Sequence, residues 1–177
     1  MIKSILYFIW DVVKIAIIAL LIVIPIRVFV FQPFFVRGAS MEPSFHNYDY
    51  LIVDQISYRF SEPERGDIVV FYNPNNPRER FIKRIIALPG ESISIQESEV
   101  YIESQGQGFY LDESDYLPDD TFTPGIIEAM LGESEYFVLG DNRSASYDSR
   151  AFGTIRKEQI IGKVGFRLWP IRSLSQE

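Results

Sequence analysis

An apolar run of 22 residues at positions 5–26 constrains this chain more than any other feature. Only Asp11 and Lys14 place charges in it. They are three residues apart, so on a helix they lie on one face and can pair. A helix with a rise of about 1.5 Å per residue extends this run to about 33 Å, enough to cross a bilayer. The sequence therefore predicts a transmembrane anchor in residues 1–31, followed by one domain in residues 32–177.

Two alternatives to a permanent anchor are a cleavable secretory signal and an amphipathic helix in the membrane interface. No small-x-small cleavage site follows the apolar run promptly, which argues against the signal, and the interfacial helix is the weaker option. The bias of positive charge does not set the orientation, because Lys3 on one side faces Arg27 and Arg37 on the other.

The composition excludes several kinds of chemistry. The chain has no cysteine and one histidine, His46, so thiolate catalysis and the usual zinc sites are excluded, and we predict neither a cofactor nor a metal. A net charge of −7 argues against nucleic acid as a partner. Residues 85–142 hold 13 of the 24 acidic residues and no Lys or Arg. We therefore expect residues 104–132 to form an acidic surface excursion, with a short helix at 126–131, and the basic ends to lie near membrane phospholipid.

After the anchor, short segments rich in Val, Ile, Phe and Tyr alternate with clusters of Gly, Pro, Asn and Asp. This pattern is typical of an antiparallel all-β domain. The predicted strands occupy residues 34–37, 50–56, 67–72, 81–87, 92–95, 100–102, 135–139 and 163–168. The fifth and sixth are expected to form a hairpin. The predicted fold class is mainly β: an antiparallel β-sheet domain preceded by one N-terminal transmembrane helix.

Ser40 and Lys83 are the candidates for a nucleophile and its base. Ser40 follows Gly38 in a break between a strand and a proline, where main-chain amides can approach a substrate carbonyl and form an oxyanion hole. Lys83 shares a strand face with Phe81 and Ile85. An apolar setting lowers the pKa of a lysine, so its amine can accept a proton near neutral pH.

Each candidate also has a simpler interpretation. Taken alone, Ser40 fits a turn serine, and Lys83 fits a charge on an edge strand that prevents aggregation. His46 is poorly placed for a conventional triad, because it lies six residues from Ser40 in a turn-like stretch.

The polar segment at residues 140–150 is dense in Asp, Asn, Ser and Arg, which is typical of a hydrogen-bonded loop. Asp148 and Arg150 can pair and hold such a loop, while Ser146 can orient the Lys83 amine.

Three segments, in this order after an N-terminal anchor, resemble the signature boxes of the bacterial type I signal peptidases. They are Gly-Ala-Ser-Met-Glu-Pro at 38–43, Phe-Ile-Lys-Arg-Ile-Ile-Ala-Leu-Pro-Gly-Glu at 81–91 and Gly-Asp-Asn-Arg-Ser-Ala-Ser-Tyr-Asp-Ser-Arg at 140–150. The similarity extends to residues 48–53, 65–71 and 161–164, and so covers nearly all of the chain outside the acidic middle.

The resemblance implies a role for each matching residue. Ser40 is implied to be the nucleophile, Lys83 the general base and Ser146 the residue that orients the lysine. The implied structural supports are Asp141, Asp148 and Arg150. Met41 is implied to flank the nucleophile beside the substrate. Some members of the family have a serine where this chain has Gly38, so the oxyanion hole is expected to rest on main-chain amides, those of Gly38 and Ser40.

The family further implies a membrane-bound serine endopeptidase that removes N-terminal signal peptides from exported preproteins through an acyl-enzyme. We expect a monomer in the cell membrane with a single span and an extracytoplasmic catalytic domain. One rival is a self-cleaving repressor of the related Ser/Lys fold, which needs a DNA-binding region where this chain has its anchor. Another is a catalytically silent, membrane-tethered β domain that binds a partner.

Overall fold

A computed structural model describes residues 2–29 and 31–169. Met1, Val30 and residues 170–177, the end of the predicted domain, lie outside the described residues. The chain begins with helix α1 (Ile2–Phe29), and none of its apolar window Tyr7–Ile24, of mean hydropathy 2.4, is buried. Lys14 Nζ lies 2.7 Å from Asp11 Oδ1, as their spacing predicted. By length and composition, this helix is able to cross a membrane.

The rest of the described chain is mainly strand, and every strand pair is antiparallel, which confirms the predicted fold class. The strands are β1 (Phe31–Phe35), β2 (Tyr50–Asp54), β3 (Ile68–Asn73), β4 (Asn76–Ala87), β5 (Ser92–Gln96), β6 (Glu99–Ser104), β7 (Gln107–Tyr110), β8 (Ile127–Met130), β9 (Glu135–Leu139), β10 (Ile155–Arg156) and β11 (Ile160–Trp169). A one-turn helix, α2 (Ser149–Phe152), precedes β10. Each of the eight predicted strands overlaps one of these.

The strands form two sheets that share a core. A seven-stranded sheet has the order β1-β2-β11-β3-β4-β9-β10, and a four-stranded sheet has the order β7-β6-β5-β8. Apolar side chains of β4 and β9 pack against those of β5 and β6, and the buried members include Ile86, Ile95, Ile102 and Phe137. The predicted hairpin is confirmed, because β5 and β6 pair from Ser92↔Glu103 to Gln96↔Glu99.

The acidic middle differs from its prediction. Residues 104–132 contribute β7 and β8 to the second sheet, and the helix expected at 126–131 is wrong. Ile127 pairs with Ile95, and Ile127 and Ala129 pack on the core while Glu128 and Met130 face outward. This alternation has the period of a strand, and pairing with β5 outweighs the local helix propensity.

Strand β4 positions the candidate site. It lies between β3 and β9, so the interpretation of Lys83 as an edge-strand charge is wrong. Lys83 pairs with Val69 of β3, while β9 ends with Leu139 opposite Arg84. The loop that follows β9 therefore begins beside Lys83.

We expect the shared core to carry much of the stability. Replacing Ile95, which is fully buried, with alanine should lower the free energy of unfolding by about 2–5 kcal/mol through lost contacts and a cavity. Met130 lies on the neighbouring strand and is 82% exposed, so Met130→Ala should change the free energy of unfolding by less than about 0.5 kcal/mol. Urea unfolding of both variants in detergent, followed by circular dichroism, measures the difference, and equal losses would contradict this view of the core.

Candidate active site

The Ser40 hydroxyl and the Lys83 amine are in direct contact. Lys83 Nζ lies 2.7 Å from Ser40 Oγ and 2.9 Å from the carbonyl oxygen of Ile82. The two residues are 43 positions apart in the chain. A separation of 2.7 Å is a hydrogen bond, so either group can pass a proton to the other.

The amine is held in a setting that disfavours its charge. Lys83 is 3% exposed, and its Nζ lies 5.7 Å from the centre of the Phe81 ring. Burial lowers the pKa of Lys83 to about 8, although the negative charges of Asp148 and Asp141 act in the opposite direction. The lysine therefore has a substantial neutral fraction near physiological pH.

Both of these carboxylates are themselves paired with arginines. Arg84, which alternates with Lys83 on β4, donates from Nε and Nη2 to the two oxygens of Asp141 at 2.8 and 2.7 Å. Arg150 donates from Nε and Nη2 to the two oxygens of Asp148, both at 2.8 Å, so the pairing proposed from the sequence is present. Such forks fix the position of each carboxylate.

Gly140 is the point where the loop comes closest to the nucleophile. A Cβ atom at Gly140 would lie 2.2 Å from Ser146 Oγ and 2.3 Å from the Ser40 carbonyl oxygen. The amide of Asn142 donates to that same oxygen at 3.1 Å, and the amide of Gly140 donates to Asp148 Oδ2 at 3.1 Å. Only a residue without a side chain lets the loop pack this closely.

Ser146 has a buried hydroxyl. Within residues 2–29 and 31–169, its Oγ has no hydrogen-bond partner. The contacts found for Lys83 Nζ are with Ser40 and Ile82, so the orienting role expected for Ser146 stays a prediction. A buried hydroxyl without a partner is costly, and it is free to bind an amine or a water.

Gly38 and Met41 are placed differently from what was expected. The amide of Gly38 donates to Asn47 Oδ1 at 3.0 Å, whereas no hydrogen bond from the Ser40 amide is found in the described part of the chain. The oxyanion roles expected for these two amides stay predictions. Met41 is fully buried, in a core cluster that includes Phe45, so its side chain supports the nucleophile segment from beneath. Contact between this side chain and a substrate stays a prediction that the packing does not favour.

A cleft of about 210 Å³ opens onto Ser40 and Lys83. Its walls come from β1 and β4 and include the side chains of Phe34, Phe81 and Ile82.

The sequence missed Arg143 and its partners. Arg143 is fully buried and is bound by Glu113 and Thr123, which come from the acidic middle. No local pattern marks Glu113 among the many acidic residues around it.

Comparisons with known proteins point to one family. Residues 9–169 match the family model described as "Signal peptidase, peptidase S26". The "Probable signal peptidase I-2" of Synechocystis sp. is 38% identical over 159 residues, which cover 86% of this chain and 70% of that protein. The "Signal peptidase I" of Bacillus caldolyticus is 35% identical over 166 residues, or 89% and 90% of the two chains. The crystal structure of a signal peptidase I from Enterococcus faecalis superposes with a TM-score of 0.50 at 29% identity, covering 59% of this chain and 98% of that one.

The matched sequences and the antiparallel β fold are thus those of a class of peptidases. The chain belongs to the signal peptidase family, peptidase S26. It is accordingly a hydrolase of the serine endopeptidase class.

Gly140 provides a test of this packing. The variant Gly140→Ala should lower activity about a hundredfold, because its Cβ would displace the Ser40 carbonyl or Ser146 Oγ. Gly165→Ala is the matched control, since its Cβ would meet only the Ile52 carbonyl oxygen at 3.6 Å. Peptidase assays on both variants, at equal folded concentration by circular dichroism, decide the point, and a fully active Gly140→Ala enzyme would contradict the close approach.

Proposed function

We propose that this protein removes N-terminal signal peptides from exported preproteins, with Ser40 as the nucleophile and Lys83 as the general base. The observation that carries the proposal is the 2.7 Å contact between Ser40 Oγ and a buried lysine amine of lowered pKa. A hydroxyl becomes a nucleophile when a neutral base in hydrogen-bond contact takes its proton.

The first step is acylation. Neutral Lys83 accepts the Ser40 proton while Oγ attacks the carbonyl carbon of the scissile peptide bond. Charge develops on the carbonyl oxygen, and the Ser40 amide is available to donate to it. The ammonium of Lys83 then returns the proton to the leaving amine, which departs as the new amino terminus of the mature protein.

The second step is hydrolysis of the acyl-enzyme. A water takes the place of the departed amine, and neutral Lys83 accepts its proton as it attacks the ester. The bond between the carbonyl carbon and Ser40 Oγ then breaks, the Lys83 ammonium returns the proton to Oγ, and the cleaved signal peptide leaves with a new carboxyl terminus. Ser146, whose hydroxyl is buried next to Gly140, can orient the amine between the two steps. Asp141 and Asp148 limit how far burial lowers the pKa of Lys83, so the amine can still hold the proton in transit.

The anchor suits a substrate that is itself held in a membrane. We propose one span with the β domain, residues 32–177, on the extracytoplasmic side, working as a monomer next to phospholipid. The support is helix α1, whose window Tyr7–Ile24 is apolar and unburied, followed at once by β1. Confining the enzyme and the preprotein to one bilayer raises their effective concentration.

Single substitutions test the two catalytic roles. Ser40→Ala and Lys83→Ala should each lower kcat on an Ala-x-Ala leader peptide by about a thousandfold or more, because each removes one half of the reacting pair. Ser94→Ala on β5 and Lys157→Ala, whose amine pairs with Glu62, are matched controls that should keep full activity.

A covalent probe distinguishes an enzyme from the alternative, a catalytically silent binding domain. An acylating serine-protease inhibitor should label Ser40 in the wild type and not in Lys83→Ala, as read by mass spectrometry of the modified peptide. A well-folded Ser40→Ala or Lys83→Ala variant with full activity would end the dyad proposal.

The pH profile tests the base. Since the active form of Lys83 is the neutral amine, activity should be retained above its pKa of about 8 and lost as the pH falls below it. Between pH 7 and pH 6, kcat/KM should fall about tenfold, which is the change in the neutral fraction. Initial rates on a leader peptide measure this, with circular dichroism at each pH to exclude acid unfolding. A flat profile from pH 8 to pH 5 would rule out a lysine base.

A further inference from the structure

A second group of buried charges lies outside the chemistry proposed above. Arg143 has no exposed surface on its side chain, and both of its terminal nitrogens donate to the Glu113 carboxylate, one of them at 2.7 Å. The same guanidinium donates to Thr123 Oγ1 at 2.9 Å. Burial alone would lower the pKa of Arg143, but the hydrogen bonds and the charge of Glu113 outweigh it and raise the pKa.

Glu113 is held in turn by Tyr116. The Tyr116 hydroxyl donates to Glu113 Oε1 at 2.5 Å, and burial together with the charge of Glu113 raises the pKa of Tyr116, so the hydroxyl stays protonated. The guanidinium carbon of Arg84 lies 3.8 Å from the centre of the Tyr116 ring. Arg84 is the residue that pairs with Asp141. Residues 113–116 therefore contact two arginines beside the site, Arg143 and Arg84.

The contacts of Arg143 continue into the loop that carries the supporting residues. Its Nε donates to the Gly140 carbonyl oxygen at 3.1 Å, and its own carbonyl accepts from Arg150 Nη2 at 2.7 Å. Gly140 packs against the Ser40 carbonyl, and Arg150 forks onto Asp148. A continuous path of hydrogen bonds and contacts therefore leads from Glu113 to both ends of the catalytic loop.

We propose that Glu113 is a positioning residue that acts through Arg143 to hold the loop at residues 140–150 against Ser40 and Lys83. This inference rests on the proposed function. Glu113 does not line the cleft that opens onto Ser40 and Lys83, so the role proposed for it acts through Arg143. The acidic middle of the chain thus supports the active site and is more than a surface excursion.

Removing the Glu113 charge has two physical consequences. A buried arginine that has lost its carboxylate partner is unfavourable. Asp141 is the other acid whose charge acts on Arg143, so we expect Arg143 to compete with Arg84 for Asp141. If Arg143 pairs with Asp141, it also offsets part of the negative charge that Asp141 places near the Lys83 amine, which disfavours the ammonium.

The experiment compares Glu113→Gln with Asp115→Asn in the full chain in detergent. Asp115 is exposed and lies in the same segment, so the control removes an equal charge without touching Arg143. We expect Glu113→Gln to lower kcat on the leader peptide about tenfold while KM changes by less than about twofold. The acid limb of its pH profile should also move to lower pH, whereas Asp115→Asn should match the wild type.

A role confined to stability lowers the amount of folded enzyme and leaves the kcat and the pH profile of the folded fraction unchanged. That result, or wild-type kinetics in Glu113→Gln, overturns the proposal. If Glu113→Gln does not fold, Glu113→Asp is measured in its place. Glu113→Asp keeps the negative charge on a shorter side chain. We therefore expect kcat to fall while the acid limb of the pH profile stays at the wild-type pH. An unchanged kcat overturns the proposal. A wild-type protein that leaves the peptide uncut contradicts the proposed function itself, which separates that failure from this one.

Discussion

The structure depends on one contact, between the buried amine of Lys83 and the hydroxyl of Ser40. Keeping Lys83 buried lowers its pKa from 10.5 to about 8, a penalty on the charged form of about 3 kcal/mol. The apolar cores on both sides of β4 supply the burial, and two paired carboxylates keep the shift from going further. The position of this balance sets how readily the amine accepts a proton and how readily it releases one.

The order of the strands fixes where the side chains of the site lie. Strand β4 is covered by β3 on one side and by β9 on the other, and β9 stops one pair short of Lys83. The chain then turns at Gly140, which passes the Ser40 carbonyl at a distance that only glycine permits. Asp141 and Asp148 are fixed by guanidinium forks from β4 and from the loop itself. Rigid strands and bidentate ion pairs therefore hold the reacting atoms in place.

The local pattern predicted the framework well because strands and membrane helices are specified by neighbours in the sequence. The period of two on β4 correctly separated Lys83 from Arg84, and the eight predicted strands each have a counterpart. In the acidic middle, composition indicates solvent exposure and does not single out the few side chains that pack inward. Glu113 is instead drawn inside by Arg143, 30 positions away, and Ile127 and Ala129 complete the second sheet. A charged side chain is buried where an opposite charge can pair with it. Here the two partners lie too far apart in the chain for one short sequence window to contain both.

The sequence by itself determined that an apolar helix precedes an antiparallel β domain, and it singled out Ser40, Lys83 and the polar loop as the candidate site. Hydropathy, alternation and the family motifs are properties of short segments, so they can be read along the chain. Only the tertiary structure decided that the serine and the lysine touch, that burial lowers the pKa of the amine to about 8, and that the Gly38 amide and the Met41 side chain have contacts within the protein. Distances between remote residues and the exclusion of water arise from packing, and packing exists only once the sheets have assembled.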